Sequence, residues 1–514
     1  MKTIHETPIP VLVGAGQVTQ REEDPLKALS PMDLTAAAAR KAANDSGAGE
    51  KIFPILDSVV QIRSFSDTSW RFRCPFGEYV NPPKSLANRL GAVNAKRLIY
   101  PQPGGNTPQW CVNRLFEMIS RGEIGAALIS GGEALSTQKA AQRAGTQLDW
   151  SEDSGGTFEE WGSARQGWSE MEERHRLMSA ISAYPMVENA IRGHKGRTIE
   201  EHIACMGRLF EGFARVAASN QLADRPAGYS AEEIATVNEK NPFIGFPYTK
   251  LMNANVFIDQ SAALVLMSTT RAKELGIPKD KWVYLHGCGD ANDHWYLSER
   301  INYHSSPAMR AVAGVTTKMA GMTMNEIDFF DIYSCFPSAV QIACAEMEID
   351  EEDPRGLTVT GGLPYFGGPG NNYVTHSIAE MMNRVRAKPG TYGLVTANGW
   401  YLTKQSAGIY STAIPEQPFT PVDPVTYQSK IDGNKGPEIV EHAEGKAVIE
   451  TYTVLHDRKG PSYSILFGRL NDDRRFIANT PPDKDLLQEM ESTDFLGRSG
   501  HVSTKDGINT FMPN

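Results

Sequence analysis

The chain is short of outward-pointing signals. Its six cysteines, Cys74, Cys111, Cys205, Cys288, Cys335 and Cys344, are scattered with no CxxC pair. That spacing argues against a disulfide framework and against structural zinc. Reduced, mostly buried thiols are expected, and with them a cytoplasmic location. No apolar run approaches the roughly 18–20 residues of a membrane span. The opening MKTIHETPIPVLVGAG has no basic region before a long apolar core, so no secretory signal is expected. No basic block interrupts the acidic residues: 51 Lys and Arg against 61 Asp and Glu leave a net charge of −10, which sets nucleic-acid binding aside. A dinucleotide fingerprint is missing too. GAGQ follows the short strand Pro10–Val13, but Thr19 stands where the third glycine belongs and no helix opens there. The Rossmann and oxidoreductase readings fail on that point.

What is present is a globular composition, 40% hydrophobic and 22% charged over 514 residues, with 46 glycines. That is room for roughly two to four domains and a large core. Ser30-Pro31-Met32-Asp33 caps an Ala-rich helix to about Ser46, and ILDSVVQI reads as a buried strand. PQPGGNTPQ (101–109) opens a helix to about Arg121, and GAALIS forms a strand ending in GGE. The same order returns later. SSPAMRAVAGVTTKMAG is a helix, EIDFFDIY a strand, and the Gly-rich TGGLPYFGGPG opens the helix NNYVTHSIAEMMNRVRA before the strand TYGLVTANG. Each half has one Gly-rich loop just before a helix, so the chain reads as α/β with a diverged internal repeat. Residues 151–250 carry helical, charged and aromatic patterns with no strand, and read as an insert. VFIDQSAALVLMS then returns to the first half. After EQPFTPVDP, the segments KAVIETYTVL, PSYSILFGRL and RRFIAN alternate with period two, predicting a small antiparallel β module, OB-like, with a polar tail after Pro481.

Four segments carry a family resemblance. GAALISGGEALS (125–136), DQSAALVLMS (259–268), DFFDIYSCFPSAVQIA (328–343) and TGGLPYFGGPG (360–370) resemble thiolase-superfamily segments in the right order, over about residues 8–412. The resemblance implies the thiolase fold: duplicated βαβαβαββ halves in five αβαβα layers, with the added C-terminal module. It divides the chain into residues 1–150 and 251–275 (first half), 151–250 (helical insert), 276–412 (second half) and 413–514 (module and tail). It implies coenzyme A, carried as acyl-CoA, as ligand. It also implies a homodimer through the first-half sheet, with a monomer as the alternative if the C-terminal module covers that surface.

The chemistry of that superfamily does not transfer whole. It requires a cysteine nucleophile at a helix N-terminus, a histidine base, a second cysteine and oxyanion donors. Against those motifs Gly104 stands at the nucleophile position, Gly368 at the Gly-His-Pro histidine, and Ala397 or Asn398 at the second cysteine. Cys111 lies inside its helix and reads as a buried small residue, and Thr107 as a cap. Tyr333 occupies the position that orients water or an oxyanion, and a phenol there can also act as a general acid. Cys335 matches a small packing residue. His376 is a helix-packing residue or a general base, and Asn398 a hydrogen-bond donor. The candidate catalytic set is Tyr333, His376 and Asn398, and the candidate ligand-binding set Gly104, Gly367, Gly368 and Asn371. Tyr365, Asn372 and His304 are further polar groups near the expected pocket. Arg114 and Lys404 are isolated candidates for the CoA phosphates. Asp290, Asp293 and His294 read as a turn at the base of a helix rather than as metal ligands. The acyl-cysteine route is closed on this reading. Two functions remain: cleavage or acyl transfer on a β-hydroxy or β-keto acyl-CoA using Tyr333, as in a retro-aldolase, or a non-catalytic acyl-CoA, lipid-binding or scaffold protein.

Overall fold

A computed structural model describes residues 9–514. Residues 1–8, where the reading of the amino terminus begins, lie outside the described residues. Two sheets form the core. In the first, β1 (Pro10–Thr19), β2 (Ser58–Gln61), β3 (Arg97–Ile99), β4 (Ala126–Ala134) and β5 (Asp259–Ser268) lie in the order β1-β5-β4-β2-β3. In the second, β6 (Tyr284–Asn292), β7 (Phe329–Asp331), β8 (Tyr392–Gly399) and β9 (Lys404–Ser411) lie in the order β6-β9-β8-β7. Both sheets run antiparallel, antiparallel, then parallel along that order. The second therefore repeats the first. Of the helices that cover them, α1 (Pro31–Asp45) lies on the outside of the first sheet. Helix α2 (Thr107–Ser120) packs between the sheets. Helices α3 (Ala180–His194) and α4 (Ile199–Ser219) belong to the insert, and α5 (Pro307–Ala320) covers the second sheet. Helix α6 (Pro337–Met347) follows β7, and α7 (Tyr373–Ala387) joins α2 in the middle layer.

The GAGQ motif has a packing role. A Cβ on Gly14 would stand 2.0 Å from the Ala42 carbonyl oxygen, and one on Gly16 would stand 2.2 Å from that of Ala38. Glycine lets α1 sit directly on β1. The second half repeats the device: a Cβ on Gly287 would meet the Thr316 carbonyl oxygen of α5 at 2.0 Å. The pairs Gly14/Gly16 and Gly287/Gly289 are thus a signature of the repeat that the reading of the sequence passed over.

The C-terminal residues form a third, antiparallel sheet. Its strands β10 (Gly445–Asp457), β11 (Gly460–Leu470), β12 (Arg475–Ala478), β13 (Ser499–Lys505) and β14 (Ile508–Pro513) lie in the order β12-β11-β10-β13-β14. Two expectations are corrected here. The segment after Pro481 is no tail but a helix, Lys484–Ser492, and a hairpin that pairs with β10. Its few inward residues, such as Val502 and Phe511, are fully buried between polar outward neighbours. The insert also contains strand: Phe243–Gly245 turns onto Tyr248–Thr249, and Gly245 pairs with Leu455.

The outer edge of β3, one edge of the first-half sheet, is paired within the chain. Glu159 donates its N–H to the Leu98 carbonyl at 2.7 Å and accepts from Tyr100 at 2.9 Å, and Trp161 accepts from Gln102 at 2.8 Å. Residues of the insert, not the C-terminal module, cover that edge.

Candidate active site

The loop PQPGGN turns into α2 without a side-chain cap at Asn106. The positive end of the helix dipole therefore lies next to Gly104 and Gly105. Gly104 donates its N–H to the Asn371 Oδ1 at 3.0 Å, which ties this loop to its counterpart in the second half. No side chain fits at either glycine. A Cβ on Gly104 would lie 2.6 Å from both Asn106 Oδ1 and Lys404 Nζ. A Cβ on Gly105 would lie 2.2 Å from Tyr333 Oη and 2.5 Å from the Asn398 carbonyl oxygen. At the nucleophile position, then, stands the amine of Lys404, brought in from β9.

Lys404 donates to the Pro103 carbonyl oxygen, and no carboxylate of the described residues pairs with it. Burial pushes its amine down to about 8. It lines a cleft that also includes Asn106 and Trp110. Arg114, the other candidate for that role, is 3.6 Å from Glu117 and lies over the Trp110 ring.

Tyr333 is buried and anchored through its own N–H, which donates to Thr396 Oγ1 at 2.9 Å. Its ring meets Tyr373 edge-on, with centroids 5.8 Å apart. Burial, with Cys335 alongside, pushes the Tyr333 phenol well above its usual range, so it stays protonated. Burial likewise lifts the Cys335 thiol to about 12, which leaves it no thiolate at neutral pH. Asn398 donates to the Tyr184 Oη at 2.8 Å, and that hydroxyl donates on to the Trp400 carbonyl at 2.9 Å. Tyr184 comes from α3 in the insert. It pins a turn in which Trp400 (φ +54°) and Leu402 (φ +61°) are both left-handed, a costly conformation for large side chains.

The second Gly-rich loop is held by buried amides. Asn371 donates to the Arg63 carbonyl at 2.8 Å, and Asn372 to the Gly131 carbonyl at 2.6 Å. Gly367 has φ +126°, and a Cβ there would meet Gln260 Oε1 at 2.4 Å. Gly368 donates to the Asn255 carbonyl at 2.9 Å. His376 is the fourth residue of α7. It is fully buried, with Nδ1 2.8 Å from Gln17 Oε1 and its ring against Phe366. Burial pushes its imidazole down to about 3, so it is neutral. The structure therefore gathers Gly104, Asn371, Tyr333 and Asn398 around one point and places His376 among Gln17 and Phe366.

Of the DANDH residues expected in a turn, Asp290 lies instead within β6, and Asp293 just beyond the strand is a cap. Asp293 accepts from Ser306 Oγ and from the Ala308 N–H at 3.0 Å, at the start of α5, and His294 contacts the Asn434 carbonyl. Among the described residues no group of three His, Cys, Asp or Glu is placed to hold a metal ion.

Sequence reasoning offered Lys404 only as a phosphate contact, not as a group beside Gly104, and missed Asn106, Tyr184 and Gln405. Lys404 and Pro103 are 301 positions apart, and nothing local to either predicts their contact.

Comparison with known proteins supports the frame. Residues 426–507 match the family described as the thiolase-like protein type 1 additional C-terminal domain. The crystal structure of a monomeric SCP2-thiolase like protein type 1 from Mycobacterium smegmatis is 34% identical. It covers 98% of this chain and 99% of its own, with a TM-score of 0.84. The Ltp2-ChsH2(DUF35) aldolase is 17% identical, covering 78% of this chain and 97% of its own with a TM-score of 0.57, a likeness of fold. Acetyl-CoA acetyltransferase 1 of Arabidopsis thaliana is 28% identical over 144 residues, 28% of this chain. That match spans 32% of the relative's length.

Proposed function

The chain belongs to the family of SCP2-thiolase-like proteins of type 1, and from that premise we propose that it binds acyl-CoA thioesters without forming an acyl-cysteine. The observation that carries the reading is the amine of Lys404 beside Gly104, where an acyl-accepting thiol would stand. The groups that would move protons are absent or sequestered. His376 is neutral and buried away from Gly104, and the four deeply buried cysteines have thiols raised by burial. In the enzymatic form of this reading, the protonated Tyr333 phenol beside Gly105 donates a hydrogen bond or proton to a carbonyl oxygen during carbon–carbon cleavage of a β-hydroxy or β-keto acyl-CoA. In the binding form, the same phenol only orients the ligand. The depth of burial of Tyr333 and the removal of His376 favour the binding form. The name of the Arabidopsis relative supports CoA as the shared ligand chemistry.

Calorimetric titration of the full chain with CoA, acetyl-CoA and a long-chain acyl-CoA should give saturable heats with at least one of them. No heat with any of the three overturns the proposal.

A companion experiment asks whether the old chemistry can be restored. The double variant Gly104→Cys, Gly368→His should show no thiolysis of a 3-ketoacyl-CoA above the buffer rate. The new sulfur must compete with Lys404 Nζ for its place, and no second cysteine shuttles the proton. Thiolysis in this variant would show that the amine moves aside freely.

A further inference from the structure

Beside Gly104 opens a cleft of 410 Å³ whose floor includes Lys404. Three indoles, Trp110, Trp161 and Trp295, supply its apolar walls. Lys404 and Ser406 alternate on one face of β9, opposite Asn292 and Asp290 of β6, so the amine and the Asp290 carboxyl share that face as diagonal neighbours. Asn106 Oδ1 and Gln405 Oε1, both in deeply buried residues lining the cleft, have no hydrogen-bond partner. Buried acceptors left alone are costly and mark a place where a donor is expected.

This lining favours a neutral group at the floor of the cleft, next to the amine. Lys404 is the one cation at the floor, Arg114 is engaged by Glu117, and the carboxyls of Asp290 and Asp432 also face the cleft. A neutral molecule with a planar apolar body fits the walls, and an amine meets it at the floor.

We propose that Lys404 is an imine-forming nucleophile, whose amine condenses with the carbonyl carbon of an aldehyde or ketone entering the cleft beside Gly104. The nitrogen lone pair forms the C–N bond as the carbonyl oxygen takes up a proton, giving a carbinolamine. Its hydroxyl is the donor that Asn106 Oδ1 lacks. Loss of that oxygen as water, with two hydrogens from the amine, leaves the C=N bond, and no oxidant or reductant is needed. The Asp290 carboxyl, lifted by burial to about 6, is the group on the same face that can protonate the leaving hydroxyl. An amine near 8 holds on the order of a hundred times more neutral form at pH 8 than a lysine with its ordinary value. The charged groups facing it are Asp290 from β6, Arg114 from α2 and Asp432 from the helix Val425–Asp432. This goes beyond the acyl-CoA reading, because the cleft and its amine stand whether or not CoA binds.

The test treats the full chain with benzaldehyde at pH 8, reduces it with sodium borohydride, and locates the benzylated lysines by mass spectrometry after digestion. Lys404 should be modified at least about tenfold faster than the surface lysines, and Lys404→Arg should abolish that fast phase. A parallel arm with 2,4-pentanedione should label the same residue. Labelling of Lys404 no faster than that of surface lysines, or none at all, overturns the proposal. Lys404→Arg keeps the charge, so its CoA titration reads the earlier proposal separately. A circular dichroism melt shows whether that variant folds. If it does not, the rate at Lys404 in the wild-type chain alone decides.

Discussion

Replacing Arg475 by methionine should lower the stability of the chain by about 3 kcal/mol or more, because it leaves buried carbonyls without a donor and takes one of two cations from Glu450. Arg475 is fully buried on β12 and reaches in two directions. Its Nε and Nη2 hold the two Glu450 carboxylate oxygens at 2.8 and 2.7 Å within the C-terminal sheet. Its Nη1 and Nη2 donate to the carbonyls of Ser298, Arg300 and Ile301 in the second half of the core. The guanidinium also lies over the Tyr303 ring at 4.6 Å. Burial alone would raise the Glu450 carboxyl, but the guanidinium groups of Arg475 and Arg469 outweigh it and hold it below the usual range. Removing Arg475 therefore leaves three carbonyls without their donor and Glu450 with Arg469 alone. The double variant Arg475→Met, Glu450→Met should recover only the part of the loss that comes from Glu450, since the three carbonyls still lack a donor. Urea unfolding, read at the first transition, measures both. A single variant within about 1 kcal/mol of wild type would sink the idea that Arg475 rivets the C-terminal sheet to the core.

The second large effect is acid lability from His376. Its imidazole is pushed from an ordinary 6.5 to about 3 by burial, so the unfolded chain takes up a proton that the folded chain refuses. The resulting stability is whole above about pH 6.5 and falls as the pH drops towards 3. The slope is about 1.4 kcal/mol per pH unit, or about 2 kcal/mol lost by pH 5. Other buried histidines, His175 and His286, are also shifted down and add their own slopes. The discriminating quantity is thus the difference between wild type and His376→Gln, which should narrow steadily from pH 7 to pH 4. Parallel stability curves for the two proteins would show that His376 does not titrate on unfolding in this range.

Much of the frame was legible before any coordinates. The Ser-Pro caps at Ser30 and Ser306, the apolar strands and the two Gly-rich loops each announce themselves locally, because helix caps and strand periodicity depend on neighbours a few residues away. It is the family resemblance of those loops that puts Gly104 and Gly368 where reactive side chains are expected. Two kinds of element stayed hidden. The hairpin 499–513 has few large apolar residues, and only its pairing with β10 buries Val502 and Phe511. His376 looked like one polar group among several near a loop, and only the packing of Gln17 and Phe366 against it takes it out of the site.

The sequence by itself determined that this is a duplicated α/β chain with a helical insert and an added β module, and that no cysteine stands at the head of α2. Those are properties of residue types and their order along the chain. Only the tertiary structure decided what replaces that cysteine. The amine of Lys404 reaches Gly104 because β9 crosses the end of α2, and both Gly104 and Gly399 lack the Cβ that would block it. A contact between residues 301 positions apart is set by how the two sheets clasp the middle helices, and no local pattern encodes that.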